Sequence, residues 1–418
     1  MYARSRIQHK ISAFRRLISE HGAPWVAAFL AQRYFVRKAA PLFAKTARRR
    51  IRAWVAKNSK PIHIYVSPVD WRYPYQQRPH HLVRELLARK IPTIFVTPAT
   101  GYDRTLCASE EGSTFLLTPH CHAAIGACDR PVVHLLSTDT RCDEALLALI
   151  ASRNGIIVYD YIDAMEDDVI SAKYTEKRLA LHDQLLKDES SVAVAAASQA
   201  LFDHAAQFRK TRLALITNGV ELEPFRARHR YLPIRQDFTA PATLGKPIIG
   251  YFGAFAKWFD YELINHLASE RPNYSIVLFG PDLDGTRNRF DRSLANLFVL
   301  GAMAYKDISR HATWFDVCLV PFVINSITIA CSPLKIFEYM ALGKPTVSTD
   351  IPECRKYRSV LIGSTPEMFL DAVDNALSLS ADEGFITLAK NEAEANSWAR
   401  KVDVMLDLVN SPVVNQPI

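Results

Sequence analysis

From Pro61 onward the apolar positions fall into short, nearly continuous runs rather than into an alternation of apolar and polar residues. Residues 62–66, 93–96, 115–117, 132–136, 156–159 and 192–196 each read as a strand covered on both faces, with helical segments such as 81–88 between several of them. Ile216-Thr217-Asn218-Gly219-Val220 closes this series, and the polar, Pro-containing stretch 224–246 reads as a linker. A second alternation follows, with strands at 247–252, 274–279, 297–300, 317–321 and 346–349, helices at 261–268 and after Ser332, and final helices within 366–409. Strands separated by helices predict parallel sheets with helices on both faces. The expected fold is α/β, with two doubly wound, Rossmann-like domains facing a cleft. The boundaries drawn from the pattern are 1–60 for a basic helical extension, 61–223 for a first domain and 224–246 for the linker. The second, ligand-binding domain takes 247–390, and a C-terminal helix in 391–418 crosses back to the first. In such sheets ligands sit outside the carboxyl ends of the strands, so the loops there hold the candidate chemistry.

Ahead of Pro61 the texture differs. Trp25, Val26, Phe29 and Leu30, then Tyr34, Phe35 and Val36, recur at helical spacing, but Gln32 and Arg33 interrupt a run already too short to span a bilayer. Fifteen Lys and Arg stand there against the single acid Glu20, a surplus larger than the +8 of the whole chain, so the remainder is net acidic. A basic amphipathic helix lying on an anionic membrane surface is the expectation, with a disordered or packed basic extension as the alternative. Because the excess ends where the folded body begins, no nucleic-acid partner is expected. No small-residue cleavage pattern follows the apolar positions, which argues against a secretory signal.

Length and composition add bounds. A chain of 418 residues, 49% apolar and 22% charged, suits two soluble α/β domains. Seven cysteines without a CxxC pair indicate reduced thiols in a cytoplasmic setting. His120-Cys121-His122, with Cys128 nearby, matches no common zinc spacing, and no metal is expected.

The most informative stretch runs from Cys331 through Ser332-Pro333-Leu334-Lys335-Ile336-Phe337-Glu338 to Leu342-Gly343-Lys344-Pro345. It predicts a helix with both ends marked: Ser332 as N-cap, Pro333 at the first position, Gly343 in the left-handed conformation that ends a helix, and Pro345 barring its resumption. The open N-terminus of such a helix favours an anion, Lys335 adds a cation in its first turn, and Glu338 shares the face of Lys335. Phosphate at the helix end and a carboxylate deeper for hydroxyls would suit a sugar nucleotide; an ordinary capped surface helix is the alternative. Upstream, Gly253 permits a tight turn at a strand end and Lys257 is placed to reach a phosphate or simply to face solvent. Asp282-Leu283-Asp284 has a spacing that can hold a divalent cation against a diphosphate, but lies in a Gly- and Pro-rich stretch that also reads as a plain turn.

In the first domain Arg78 is a candidate for pairing with an anionic group, and His80 and His81 for hydrogen bonding a sugar or moving a proton. Each histidine also reads as a helix cap or a core residue. The strand at 156–159 runs into Asp160-Tyr161-Ile162-Asp163, where a general base for a hydroxyl acceptor would sit, Asp163 foremost and Asp160 second.

Together, WRYPYQQRPHHL, VYDYID, SQALFDH, ITNGVELEPF, GYFGAFAKWFD and SPLKIFEYMALGKPTVST resemble a GT-B glycosyltransferase of the family 4 type, most like bacterial enzymes of teichuronic acid and exopolysaccharide assembly, over about 62–409. The resemblance implies a nucleotide-diphosphate sugar, UDP- or GDP-linked, as substrate rather than cofactor. Glu338 would grip the ribose, while Gly253, Lys257, Ser332, Pro333, Leu334 and Lys335 would hold the leaving diphosphate without a metal. The acceptor, a lipid-linked saccharide or polysaccharide, would approach from Arg78, His80, His81 and Asp163, with the enzyme peripheral on the inner face of the plasma membrane. One departure stands out. Many members pair that glutamate with another across seven intervening residues, where this chain has Ala330, and Asn325 is the expected substitute. The alternatives are a sugar-nucleotide epimerase on the same fold, or a non-catalytic nucleotide-sugar-binding subunit.

Overall fold

The structure, a computed structural model, describes residues 23–39, 43–103, 108–110, 114–139, 141–165, 174–226 and 235–410. Two compact units are present: one runs from Ala27 to Thr217 and takes in the C-terminal helix, the other comprises Asn218–Ser397 and, of the described residues before it, Ala23–Val26. Both are parallel α/β sheets, as the apolar runs predict.

The first unit holds an eight-stranded sheet in the order β3-β4-β2-β1-β5-β6-β7-β8. Its strands are β1 His63–Val66, β2 Thr93–Val96, β3 Ala108–Glu110, β4 Phe115–Thr118, β5 Val132–Leu136, β6 Ile156–Tyr161, β7 Val192–Ala196 and β8 Leu213–Leu215. All neighbours are parallel except β3 and β4. The pattern does not anticipate β3 or β8, which have three residues each, too few for a run to stand out. The last helix, Trp398–Asn410, packs on helix Arg78–Ala88 and on β7 and β8. Trp398 is buried and its ring stacks on His81 at 5.3 Å, while Arg89 ties the helix down through Asp403 at 2.7 Å.

The second unit holds six parallel strands in the order β11-β10-β9-β12-β13-β14. They are β9 Ile248–Phe252, β10 Ser275–Phe279, β11 Leu297–Leu300, β12 Val317–Val320, β13 Thr346–Thr349 and β14 Val360–Gly363. Counted from β9 this is the doubly wound order, with the topological switch between β9 and β12. Its core is unusually aromatic at the carboxyl end of β9, where Phe255, Phe259, Tyr261 and Phe290 meet edge to face or tilted at 4.9–5.6 Å.

The stretch read as a linker is in part core. It contains helices within Leu222–Arg226 and Gln236–Thr243, and Phe225 and Phe238 are buried in the second hydrophobic core. Phe238 lies 5.4 Å from the His311 ring and 6.4 Å from that of Phe315. Polar neighbours mask these two anchors in the sequence. Among the described residues no helix is long and apolar enough to cross a membrane.

Candidate active site

The helix expected from the Ser332 stretch spans Leu334–Ala341, at the carboxyl end of the second sheet. Its C-terminus behaves as predicted: Gly343 has φ +70°, its N–H donates to the Met340 carbonyl, and the Lys344 N–H reaches back to that of Tyr339. Its N-terminus corrects the expectation. Pro333 is the cap residue and no side chain caps the helix. Ser332 instead accepts from the Asn218 N–H at 3.3 Å, and its carbonyl takes the Asn218 side-chain amide at 2.7 Å. Asn218, the start of the NGV motif, therefore belongs to this site. No side chain meets the N–H groups that open the helix, so this end favours an anion, as an uncapped helix start does.

Gly253 follows β9 with φ +146°, a value that strains any residue with a Cβ, and space dictates glycine as well. A Cβ there would fall 1.8 Å from Lys335 Cε and 2.6 Å from its Nζ. The Lys335 ammonium lies 5.5 Å from the Tyr251 ring centre and 5.4 Å from that of Phe322, so aromatic faces hold the cation where β9 and β12 end. Glu338 is buried, with 2% of its surface exposed, and its Oε1 has no hydrogen-bond partner. The other oxygen is bonded by the Tyr305 side chain. Burial pushes the Glu338 carboxyl up; Lys335 and Tyr305 oppose that rise without cancelling it. Burial likewise pushes the Lys335 ammonium down, opposed by Glu338. A buried carboxylate oxygen with no donor is costly, and a ligand hydroxyl would relieve it. Sequence reasoning missed Tyr305, and no spacing links it to Glu338; the sheet brings them together.

Other second-domain candidates are placed differently. Lys257 is exposed, and its backbone N–H is held by the Asp284 carboxylate at 3.0 Å. Asp282 accepts from the Thr286 and Arg287 N–H groups, so the Asp-x-Asp pair organises the turn. Asn325 spends its side-chain oxygen on the N–H groups of Ile327 and Thr328, both at 3.0 Å, as cap of helix Ser326–Ile329. That occupation removes Asn325 as a direct substitute for the missing glutamate. Ala330 is buried at the end of the same short helix.

Most of the first-domain candidates serve the fold. Arg78 and Asp160 are buried together, Nε to carboxylate at 2.9 Å; Tyr65 also donates to Asp160 at 3.2 Å. The other Arg78 nitrogens donate to the carbonyls of Ile216 and Thr217 at 2.8 and 3.0 Å. His80 forms a capping box with Gln77 and bonds the Asp70 carbonyl at 3.0 Å. His81 is packed under Trp398. These contacts correct the expectation that Arg78, His80, His81 and Asp160 face substrate. Asp163 differs: it follows β6, is only partly covered, and burial raises its carboxyl to about 7. Among the described residues no group of three or more His, Cys, Asp or Glu is placed to hold a metal ion.

Two doubly wound parallel sheets, the second with an anion-ready helix and a buried carboxylate at its switch point, define a GT-B fold. Known proteins agree. Residues 246–378 match the family Glycosyl transferases group 1. A protein of Bacillus subtilis assigned as a teichuronic acid biosynthesis glycosyltransferase, TuaH, is 25% identical over 196 residues, which is 45% of this chain and 48% of the relative. The aligned part thus spans about half the length of that relative. The trehalose 6-phosphate synthase of Burkholderia multivorans superposes with a TM-score of 0.60 at 11% identity, over 84% of this chain and 98% of that one. HepE of Anabaena, solved with UDP and glucose, gives 0.56 at 13% identity, over 84% and 100%. The chain has the GT-B glycosyltransferase fold, and its second domain carries the group 1 sequence signature.

Proposed function

We propose that this protein is a glycosyltransferase that moves a sugar from a nucleotide-diphosphate sugar to a lipid-linked saccharide or polysaccharide acceptor in cell-surface glycan synthesis. The observation that carries the reading is Glu338: a buried carboxylate with a partnerless oxygen, one helical turn beyond Lys335, at the switch point of a doubly wound sheet. Glu338 accepts from the ribose hydroxyls, while Lys335 and the opening N–H groups of helix Leu334–Ala341 take the diphosphate. As the bond from the sugar to the diphosphate breaks, charge grows on the leaving oxygen beside Lys335, so this contact strengthens toward the transition state and needs no metal. The acceptor oxygen forms the new bond to the sugar, and its proton passes to Asp163, whose raised carboxyl is ionised above about pH 7.

HepE, solved with UDP-glucose, supports a UDP-sugar as first choice of donor. The likeness to TuaH supports an acceptor in cell-wall polymer assembly, and the basic leader supports work at the cytoplasmic face of an anionic membrane. The test is thermal shift with a panel of nucleotide sugars, followed by transfer to lipid-linked acceptors. Glu338→Ala should remain folded, lose the donor-induced shift and lose transfer. Normal transfer by that variant would sink the site. Transfer should rise as pH passes through about 7 and lose that rise in Asp163→Asn.

A further inference from the structure

The basic leader is not a free amphipathic helix. Its helix Ala44–Val55 turns Ala47, Ile51 and Trp54 inward and packs on helix Cys121–Ala127 and on β4. The apolar stripe of this helix is thus spent on the protein. Lys45, Arg48, Arg49, Arg50 and Arg52 remain exposed, as do Lys57 and Lys60 beyond the helix, and no acid occurs between Phe43 and Pro61. The preceding helix, Ala23–Ala39, docks separately: Phe29 is buried, with its ring 5.2 Å from that of Tyr102 and packed so closely on Gly101 that a Cβ there would lie 2.5 Å from it. Leu30 and Tyr34, one turn apart on that helix, are 38% and 67% exposed, and Phe43 is 47% exposed.

Both docking places lie at the carboxyl ends of the first-domain strands. Gly101 and Tyr102 follow β2, and their N–H groups are held by the buried carboxylate of Asp70 at 3.0 and 2.8 Å. His120 follows β4, and Arg48 is near enough to contribute, after burial, to lowering its pKa. Exposed cations and exposed apolar side chains are therefore carried on helices docked near the loops that follow β2 and β4, at the end of the sheet where ligands of this fold bind.

We propose that the docked leader is a membrane-surface adaptor, with Lys45, Arg48 and Arg49 contacting the phosphates of anionic lipids and Leu30, Tyr34 and Phe43 entering the headgroup region. Charge complementarity selects an anionic surface, and apolar residues among the cations select a bilayer over a nucleic acid, whose backbone would leave them in water. Seated this way, the leader turns the carboxyl ends of β2 and β4 toward the lipid. The inference gives the proposed membrane-linked acceptor a physical route, but vesicle binding is measured without donor or acceptor.

The experiment is co-sedimentation of the full chain with vesicles of phosphatidylcholine alone or containing about a third phosphatidylglycerol, at low and high salt. Binding should require the anionic lipid and weaken as salt rises. The pair Arg48→Glu and Arg49→Glu should weaken it more than tenfold, and the pair Tyr34→Ser and Phe43→Ser severalfold, each keeping the donor-induced thermal shift of the parent. Equal binding to both vesicles, no binding to either, or full binding by the charge-reversed protein would overturn the proposal. So would a duplex RNA that binds as tightly as the vesicles and is indifferent to the Tyr34 and Phe43 changes. Loss of vesicle binding with an intact donor shift refutes the adaptor alone; loss of the donor shift in the parent refutes the enzyme reading.

Discussion

Each domain buries an acid and a base at the carboxyl end of its sheet, and the two pairs are built for opposite ends. In the first domain Arg78 and Asp160 face each other at 2.9 Å, and further partners from Tyr65, Ile216 and Thr217 complete the guanidinium and the carboxylate. In the second, Lys335 rests on aromatic rings while Glu338 has one bonded oxygen and one without a partner. Buried polar groups are stabilising when their bonds are complete and costly when they are not. The closed pair holds a domain together. The open pair keeps a cost that a bound ligand can relieve, and it is the one at the switch point of its sheet.

Breaking the closed pair should give the largest effect on stability. Arg78→Ala leaves Asp160 charged and buried, so denaturant unfolding should show a loss of about 3–5 kcal/mol. A loss below about 1 kcal/mol would mean that the pair does not hold the domain together. Glu338→Ala tests the open pair from the other side. Donor-dependent kcat/KM should fall by about a hundredfold, with little change in unfolding free energy, because the residue removed already lacks a full set of bonds.

The buried histidines of the first domain sharpen the same contrast. His63 and His134 are bonded ring to ring at 2.9 Å, and burial lowers His63 to about 4 and His134 well below its ordinary value. Their folded pKa values lie below that of the unfolded chain, so the stability they contribute is present above about pH 6.5 and drains away as pH falls toward 4. Thermal melts from pH 7 to pH 4 should record that loss, of about 2–3 kcal/mol, and His63→Gln should reduce it, leaving the share of His80 and His182, which burial also lowers to about 4. The smallest effect is expected from Tyr305→Phe, which removes the hydroxyl that holds Glu338. KM for the donor should rise by about tenfold, with stability changed by less than about 1 kcal/mol. Because that hydroxyl opposes the rise of the Glu338 carboxyl, the pH at which donor affinity changes should move upward in the variant, a shift that a merely structural tyrosine would not cause.

The sequence carried most of the two sheets, because strands covered on both faces need continuous apolar runs; the short strands β3 and β8 and the edge strand β14, whose Leu361 and Ile362 are only half-buried, did not stand out. It carried the helix at Leu334–Ala341 as well, since glycine and proline at its C-terminus leave the backbone one conformation, and it singled out Lys335 and Glu338 by their spacing on one face. It could not separate a substrate-facing arginine or histidine from one that is a core residue. Arg78, His80 and His81 have the residue types of a site; His80 is held by the nearby Asp70 carbonyl, but the partners of Arg78 and His81, Asp160 and Trp398, lie far along the chain and meet them only through strand order and the returning C-terminal helix. The same holds for Tyr305 beside Glu338 and Asn218 beside Ser332. Periodicity and end signals are local, so the sequence determined the elements and the anion-binding helix. Which charges are closed off and which stay open to a ligand depends on neighbours distant in the chain, and only the tertiary structure decided that.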